Sequence, residues 1–255
     1  VALVVVALLS PWITPYDPIK TYPKDRLQGP SLQHLMGTDR VGRDIFSRVI
    51  AAAPNSLRMG LIAVGIGASV GVALGLIAGY YRGPISIAIL MLADAMLAFP
   101  SILLALSIVA ALGPGFNNAM IAVGISWIPA FTRIARASVL ATKENVYIEA
   151  ARVIGAGDHR IILRHILPNV LAPVIVLCTL GVAGAILVGA SLSFLGLGAQ
   201  PPTPEWGAIL NDGRSILRIA PWVTTFPGIA IMITVLAMNL LGDGLRDALD
   251  PRMKV

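Results

Sequence analysis

Long apolar segments alternate with shorter polar segments along most of the chain. A helix needs about 20 apolar residues to cross a bilayer, and five segments are predicted as membrane-spanning helices: 59–81, 85–112, 117–131, 170–195 and 222–241. Residues 1–13 are apolar but few, so they are either the outer part of a sixth spanning helix or the core of a signal peptide. The spans that follow favour the helix. The pattern predicts an all-α, polytopic membrane bundle of about six transmembrane helices.

The first long polar segment covers residues 14–56. Prolines interrupt its first half, at positions 15, 18, 23 and 30. Its second half predicts an amphipathic helix that lies on the membrane surface. The apolar face holds Ile45, Phe46, Val49, Ile50 and Ala53, and the residues turned away from it are Arg43, Asp44 and Arg48.

Glycine recurs at every fourth position in the first of the five segments. These residues are Gly67, Gly71, Gly75 and Gly79, which form one stripe on a helix. Small residues let two backbones approach closely within a membrane, so the stripe predicts a face for helix packing. The spacing does not fit a phosphate-binding loop, and no strand precedes it.

The longest polar interruption in the second half runs from Glu144 to Asn169. Val146, Ala150, Val153 and Ile154 recur at helical spacing, and Gly155 is predicted at the C′ position of that helix. Asp158 is predicted as the N-cap of a second helix, which runs past Pro168 into the next span. A polar two-helix segment at the membrane surface is predicted to be a docking surface for a partner.

Composition agrees with a membrane protein. Of the 255 residues, 56% are hydrophobic and 13% are charged, against about 25% charged in soluble domains. Basic residues in loops explain the formal charge of +6 more simply than nucleic-acid binding does. The single cysteine, Cys178, lies in an apolar run and is predicted to be a small buried residue.

Motifs for catalysis and nucleotide binding are absent from the sequence. No glycine precedes any of the four lysines, so the chain has no phosphate-binding loop, and it has neither HExxH nor GxSxG. His34, His159 and His165 are far apart and are predicted as surface or hydrogen-bonding residues, not metal ligands. The sequence therefore predicts no resident cofactor and no ATP hydrolysis by this chain.

Asp94 is the one acidic residue deep inside an apolar segment. An intramembrane carboxylate faces either the bundle or a water path. It is therefore either a lining or proton-carrying residue, or a carboxylate that a neighbouring helix satisfies. Because no partner base is evident, a role in structure or gating is favoured over proton coupling.

Several motifs resemble those of one membrane family. Glu149-Ala150-Ala151, Gly155 and Ile166-Leu167-Pro168 resemble the EAA loop of ABC-importer permeases, although His165 stands where the broadest pattern has an apolar residue. The run from Glu149 to Asn169 resembles the dipeptide/oligopeptide (and nickel) branch, in its second-permease type. Further stretches that resemble this branch are 34–39, 42–48, 193–198 and 204–207.

The resemblance implies a single permease domain over residues 1–255, of the type I ABC importer kind, in a prokaryotic inner membrane. The implied protein partners are a second homologous permease, two cytoplasmic ATPase subunits that bind ATP, and an extracytoplasmic substrate-binding protein. The chain would also contact membrane lipid, and no nucleic-acid partner is implied. Residues 14–56 would be extracytoplasmic and help shape the channel mouth, and residues 142–169 would form the cytoplasmic coupling loop. The implied coupling residues are Glu149, Ala150, Ala151, Gly155, Asp158, Arg160, Leu167 and Pro168.

Charge alone indicates the orientation only weakly. With the coupling loop inside, ten basic residues lie in the cytoplasm: Arg82, Arg133, Arg136, Lys143, Arg152, Arg160, Arg164, Arg246, Arg252 and Lys254. Arg214 and Arg218 then lie in short outer loops, but the segment before Met59 adds seven outer basic residues and nearly cancels the bias. The resemblance decides the orientation.

The predicted function is a permease subunit for dipeptides or oligopeptides. Alternative substrates in similar importers are nickel, opines, glutathione and oligosaccharides. Two other classes are a stand-alone secondary transporter or channel, which would show more polar groups at mid-membrane, and an intramembrane enzyme, which would need a nucleophile–base pair or metal ligands.

Overall fold

The computed structural model describes residues 2–249, and this range consists of helices and connecting loops. The helices are α1 (Ala2–Ile13), α2 (Ile45–Tyr80), α3 (Pro84–Leu97), α4 (Ser101–Leu112), α5 (Phe116–Lys143), α6 (Val146–Val153), α7 (Asp158–Ile161), α8 (Leu167–Phe194), α9 (Trp206–Arg214) and α10 (Trp222–Leu249). A 3₁₀ turn covers Pro23–Asp25, and a π turn, Ile162–Ile166, joins α7 to α8.

The long helices have the lengths and composition of membrane spans. Four helical stretches in the described range qualify, namely α2, α5, Asp158–Phe194 and Trp222–Ala248, and the bent pair α3–α4 qualifies as a fifth. α1 is a shorter apolar helix of 12 residues that lies beside α2. The predicted all-α polytopic bundle is confirmed. Arg252 and Lys254 lie outside the described residues.

The predicted surface helix near residue 45 is not a separate element. α2 has 36 residues and continues from Ile45 through Pro54 into the first predicted span. Arg43, Asp44 and Arg48, which were predicted to turn away from the apolar face of a surface helix, are all buried. Arg43 and Arg48 share the distant carboxylate of Asp212, whereas Asp44 bonds to the nearby His34 and Ser47. A periodicity of apolar residues shows neither kind of pairing and could not reveal the burial.

The predicted span 85–112 is broken in the middle. α3 and α4 meet at an angle of 95°, and Pro100, at the N-cap of α4, has extended backbone with ψ 136°. Proline lacks the N–H that would continue the helix, and it also disfavours helical geometry at the residue before it. The composition of this stretch indicates a span, but its local chemistry ends the helix at its centre.

α2 and α5 form the central contact of the bundle, and they run in the same direction. A Cβ added at Gly67 would lie 2.7 Å from the Cβ of Trp127, and one added at Gly79 would lie 2.7 Å from the Cβ of Val139. The other two stripe glycines, Gly71 and Gly75, meet the intervening turns of α5. Because two consecutive long helices run parallel, the broken pair between them must cross from one end of the bundle to the other.

The remaining long helices pack around this pair. Gly60 meets Val182 and Ile186 while Gly189 meets Met59, so α8 runs antiparallel to α2. Gly242 of α10 meets Leu180 of α8. Tyr80, Lys143 and α6 lie at one end of the bundle, which is called the loop end below. The opposite end carries segments 14–44 and 196–221 and is called the cap.

Candidate docking site at the loop end

α6 ends in a turn that requires a glycine. Gly155 has φ +85°, which glycine adopts without the steric cost that a Cβ brings. Its N–H donates to the Arg152 carbonyl at 2.9 Å, and the Ala156 N–H donates to the Ala151 carbonyl at 3.0 Å. These two bonds form a Schellman motif with Gly155 at C′, the position that the sequence predicted. The motif fixes the angle at which the chain leaves α6.

The apolar side chains of α6 are divided between the core and the surface. Ile148 and Ala151 are buried and attach the helix to the bundle. Val146, Val153 and Ile154, which the sequence placed on one face, are 79%, 87% and 85% exposed. That face is therefore apolar and uncovered by residues 2–249. Glu149 and Ala150 are also exposed beside it.

A cationic groove separates α6 from α7 and the π turn. It has a volume of about 460 Å³, enough for one or two side chains. Its basic lining residues are Arg160, Arg164 and His165, and no carboxylate lines it. Within the described range, neither arginine forms an ion pair. The groove thus presents unpaired positive charge next to the exposed apolar face.

Asp158 does not cap α7 as predicted. Gly157 occupies the N-cap position and makes no side-chain cap bond, while the Asp158 Oδ1 accepts a hydrogen bond of 2.5 Å from the Tyr80 hydroxyl. The carboxylate of Asp158 thus bonds to a residue of another helix and does not cap α7. The exposed carboxylate of Asp158 therefore connects the start of α7 to the end of α2.

Tyr80 joins four elements at the loop end. Besides its bond to Asp158, its ring lies under the Arg152 guanidinium of α6, at 5.7 Å, and under the Lys143 Nζ of α5, at 5.2 Å. Lys143 also donates to the Tyr80 carbonyl at 2.7 Å. No sequence motif marks this residue, because its partners lie 63 or more positions away. Tyr80 connects the docking segment, residues 144–169, to the α2–α5 pair.

Leu167 and Pro168 lie at the start of α8. Pro168 cannot donate a backbone hydrogen bond, and the π turn before it widens the helix, with the Leu167 N–H donating to the Ile162 carbonyl. Such a turn accommodates the proline without ending the helix. The docking segment consequently continues without a break into a 37-residue helical stretch, Asp158–Phe194.

Asp94 has a partner that the sequence did not reveal. Arg133 of α5 donates from Nη2 to the Asp94 Oδ1 at 2.7 Å. Asp94 was expected to lack a partner base because Arg133 was assigned to the loop after a span that ended at Phe131; α5 instead continues to Lys143. A neighbouring helix thus supplies the partner base, and both side chains are still more than half exposed.

The cap contains charged residues that sequence reasoning missed. Asp212 of α9 accepts from Arg43 at 2.9 Å and lies 3.5 Å from Arg48, and Arg43 also bonds Asp39 at 2.6 Å. The segment that contains Arg43 and Arg48 thus meets α9 at this end. The sequence pattern gave no signal for this contact, because the partners are 169 and 164 positions apart.

Glu205 is the N-cap of α9 in the cap. Its two carboxylate oxygens accept separate bonds of 3.0 Å from the N–H groups of Gly207 and Ala208, and Ser56 donates to it at 3.3 Å. Burial raises the pKa of Glu205, and these donors oppose the shift. Glu205 therefore holds the α9 terminus against α2.

The three histidines lie in different surroundings. His34 is buried and its Nδ1 lies 2.9 Å from the Asp44 Oδ1, whereas His159 and His165 belong to the loop end. No cluster of His, Cys, Asp and Glu that could hold a metal ion occurs between residues 2 and 249.

Comparison with known proteins places this architecture in a family. The model of the family described as "Binding-protein-dependent transport system inner membrane component" matches residues 71–255. That range includes the glycine stripe from Gly71 onward, the docking segment and the last spans.

Two bacterial proteins show similarity along the whole chain. The glutathione transport system permease proteins GsiD of Escherichia coli O6:K15:H31 and of Shigella boydii serotype 4 are each 54% identical over 255 residues, which is 100% of this chain and 84% of theirs. The cap, the bundle and the docking segment all lie within these alignments.

A solved structure has a similar fold. In the inward-facing MetNI methionine ABC transporter, one chain matches with a TM-score of 0.66 and 18% identity, covering 80% of this chain and 96% of that one. At this level of identity the similarity concerns the fold.

Proposed function

Because the chain belongs to the family of binding-protein-dependent transport system inner membrane components, we propose that it forms, with a second homologous permease, the path through an ATP-driven importer. The family assigns the chain to the bacterial inner membrane as a permease of an ABC importer. The proposal concerns the partners, the coupling residues and the substrate. It assigns ATP binding and hydrolysis to two cytoplasmic ATPase subunits and substrate delivery to an extracytoplasmic binding protein.

The exposed face of α6 is the observation that carries the proposal. Val146, Val153 and Ile154 present apolar surface at the end of a bundle, beside a groove with unpaired arginines. Exposed apolar patches next to polar groups mark protein–protein contacts. We assign this face to the ATPase, with Glu149 and Arg160 at its polar edge. Residues 142–169 are then cytoplasmic and residues 14–56 extracytoplasmic.

The contacts of Tyr80 supply a mechanical connection. ATP binding would close the two ATPase subunits and displace α6 and α7. Arg152 and Asp158 would pass this displacement to Tyr80, and Lys143 would pass it to α5. Because α2 and α5 are held together by four close glycine contacts, the pair would move as one body. The path would then alternate between inward-open and outward-open states.

The substrate is proposed to be a short peptide, with glutathione as the first candidate. The relatives that are 54% identical along the whole chain are named glutathione permeases, and glutathione is itself peptide-like. Other dipeptides and oligopeptides remain the second candidate. Uptake of labelled glutathione and of labelled dipeptides by vesicles that hold the complete transporter would rank the two.

Two glycines in one turn provide the test of coupling. Gly155 has φ +85° and Gly157 has φ −69°, and a Cβ added at either would meet no atom within 4 Å. Gly155→Val therefore introduces backbone strain of about 1–3 kcal/mol without a clash, and Gly157→Val is the matched control. We expect Gly155→Val to reach normal membrane levels but to lose most ATPase association and uptake, and Gly157→Val to keep both.

A charge reversal tests the same surface without backbone strain. Glu149→Lys changes an exposed residue and should leave the fold intact while it weakens ATPase association and uptake. Pull-down of the ATPase from membranes, measured beside ATP-driven uptake, decides both experiments. Full ATPase binding and full uptake in Gly155→Val and Glu149→Lys would show that this segment is not the coupling element.

A further inference from the structure

Two helices bring opposite charges to the same depth in the bundle. Asp94 lies ten residues after Pro84, where α3 begins, and Arg133 lies ten residues before Lys143, where α5 ends. Both termini are at the loop end. At about 1.5 Å per residue, each charge is about 15 Å from that end, half of a hydrocarbon core of about 30 Å. The pair therefore lies about 15 Å inside the bundle from its loop end, within two helices of the membrane-spanning region.

The pair is not covered by its own chain. The side chains of Asp94 and Arg133 are 57% and 58% exposed. Charged groups at this depth are costly in contact with lipid, and they almost always face the protein interior or water. The face that carries them must consequently be turned to a water-filled space or to another subunit.

The backbone next to the pair is uncovered as well. Ala98, Phe99 and Pro100 follow Asp94 by one turn, lie at the 95° break between α3 and α4, and are all exposed. Non-helical backbone is tolerated at membrane depth only where protein buries it or where it lines a water-filled cavity. An exposed break beside an exposed ion pair is the arrangement expected along a translocation path.

The ion pair keeps bonding capacity for a third group. Its one hydrogen bond joins Arg133 Nη2 to Asp94 Oδ1. In the part of the chain that the structure describes, Asp94 Oδ2 and the Nε and Nη1 of Arg133 have no hydrogen-bond partner. An ammonium group could bind the carboxylate while a carboxylate binds the guanidinium.

We propose that Asp94 and Arg133 line the translocation path and contact a substrate that carries both an ammonium and a carboxylate group. This inference rests on the importer function proposed above. It assigns to the pair the contact with an unblocked peptide, whose two charged termini would otherwise lose their hydration inside the path without compensation.

Thiol labelling tests whether the pair faces water. Cys178→Ala removes the single cysteine, and Asp94→Cys and Arg133→Cys are then exposed to a membrane-impermeant sulfonate thiol reagent in vesicles holding the complete transporter. Leu92→Cys is the control, because Leu92 is 61% exposed and about 160° around α3 from Asp94. We expect labelling at 94 and 133, at rates that differ between nucleotide-free and ATP-trapped states, and at least tenfold slower labelling at 92.

Uptake by charge-neutralised variants tests the substrate contact. The probes are a tripeptide and its C-terminal amide, at concentrations at which the wild-type complex takes up both. The binding protein stays wild type, so the variant-to-wild-type ratio for each probe reports on this chain. Arg133→Gln should reduce uptake of the free tripeptide at least fivefold and uptake of the amide by less than twofold.

The outcomes separate this inference from the importer function. Absent labelling at 94 and 133 in both states would show that the pair faces a subunit or lipid, and equal labelling at 92 would show that water reaches both faces of α3 alike. Either result would overturn the inference. If Arg133→Gln lowers uptake of the free tripeptide and of its amide equally, the pair is only a contact between helices. That result would also overturn the inference. In either case, ATP-driven uptake by the wild-type complex would leave the proposed function standing, and its absence would refute that function independently.

Discussion

The two ends of the bundle differ in how their charged groups are paired. In the cap, Arg43 and Arg48 are buried and share the carboxylate of Asp212, and Trp206 is buried with its Nε1 donating to the Val49 carbonyl at 2.9 Å. At the loop end, Val153 and Ile154 are exposed and Arg160 has no ion-pair partner within residues 2–249. The cap pairs its buried arginines internally, whereas the loop end keeps the exposed face of α6 and the groove arginines without partners in the described range.

This difference separates residues that build the fold from residues that serve an interface. Removing one member of a buried ion pair is expected to destabilise the protein by several kcal/mol, because the remaining charge stays buried. Removing an exposed side chain changes stability by less than about 0.5 kcal/mol. Substitutions in the cap should therefore lower the amount of folded protein, and substitutions on the exposed face of α6 should lower association.

The largest effect is expected where the glycine stripe of α2 packs against α5. A Cβ at Gly71 would lie 2.6 Å from the Ile128 carbonyl oxygen and 2.6 Å from the Phe131 Cβ, so Gly71→Leu must separate α2 from α5. We expect most of the folded protein to be lost from the membrane, as measured by yield and size-exclusion profile in detergent. Gly65→Leu is the control on the same helix, because a Cβ at Gly65 meets no atom within 4 Å; equal loss in both variants would contradict close packing as the cause.

The second-largest effect is expected in the cap. Asp212→Asn removes the charge that Arg43 and Arg48 share, and we expect a loss of about 3 kcal/mol in the free energy of unfolding. Thermal unfolding in detergent measures it. Exposed Asp243 lies at the opposite end of α10 from the cap and forms no ion pair in the described range, so Asp243→Asn should leave the unfolding temperature unchanged. An unchanged temperature in Asp212→Asn would mean that the network contributes nothing to the cap.

A pH dependence distinguishes the buried cap carboxylate from exposed ones. Because burial raises the pKa of Glu205 in the folded state, the folded protein holds a proton that the unfolded chain releases between the ordinary and the raised pKa. Stability should fall as pH rises through that window and level off above it. Glu205→Gln cannot titrate. We expect the unfolding temperature of the wild type to fall relative to this variant from about pH 4.5 upward; parallel curves would contradict the raised pKa.

The smallest effect concerns the connection between the loop end and the bundle. Tyr80→Phe removes the hydroxyl that donates to Asp158 but keeps the ring under Arg152 and Lys143. We expect a loss of about 1 kcal/mol in stability and a partial loss of uptake per ATP hydrolysed. Tyr81→Phe is the control, since Tyr81 is 41% exposed. If both variants take up the same amount of substrate per ATP hydrolysed, the Tyr80 hydroxyl does not pass motion from α6 and α7 to the bundle.

The sequence by itself determined the class of fold and the position of several local features. Apolar segments of spanning length predicted a polytopic helical bundle because the bilayer requires that length and an internally bonded backbone. Gly155 was placed at C′, where the structure has φ +85°. Such features depend on residues within a few positions of one another, so the pattern along the chain contains the information.

The tertiary structure alone decided which polar groups are paired and which apolar groups remain uncovered. Arg48 and Asp212 are 164 positions apart, Tyr80 and Asp158 are 78 apart, and Asp94 and Arg133 are 39 apart. The burial of a charge depends on its counterion, and the position of the counterion follows from the packing of whole helices. Local pattern placed Arg48 away from an apolar helix face and Asp158 at an N-cap, because it cannot show which distant residue a helix brings into contact.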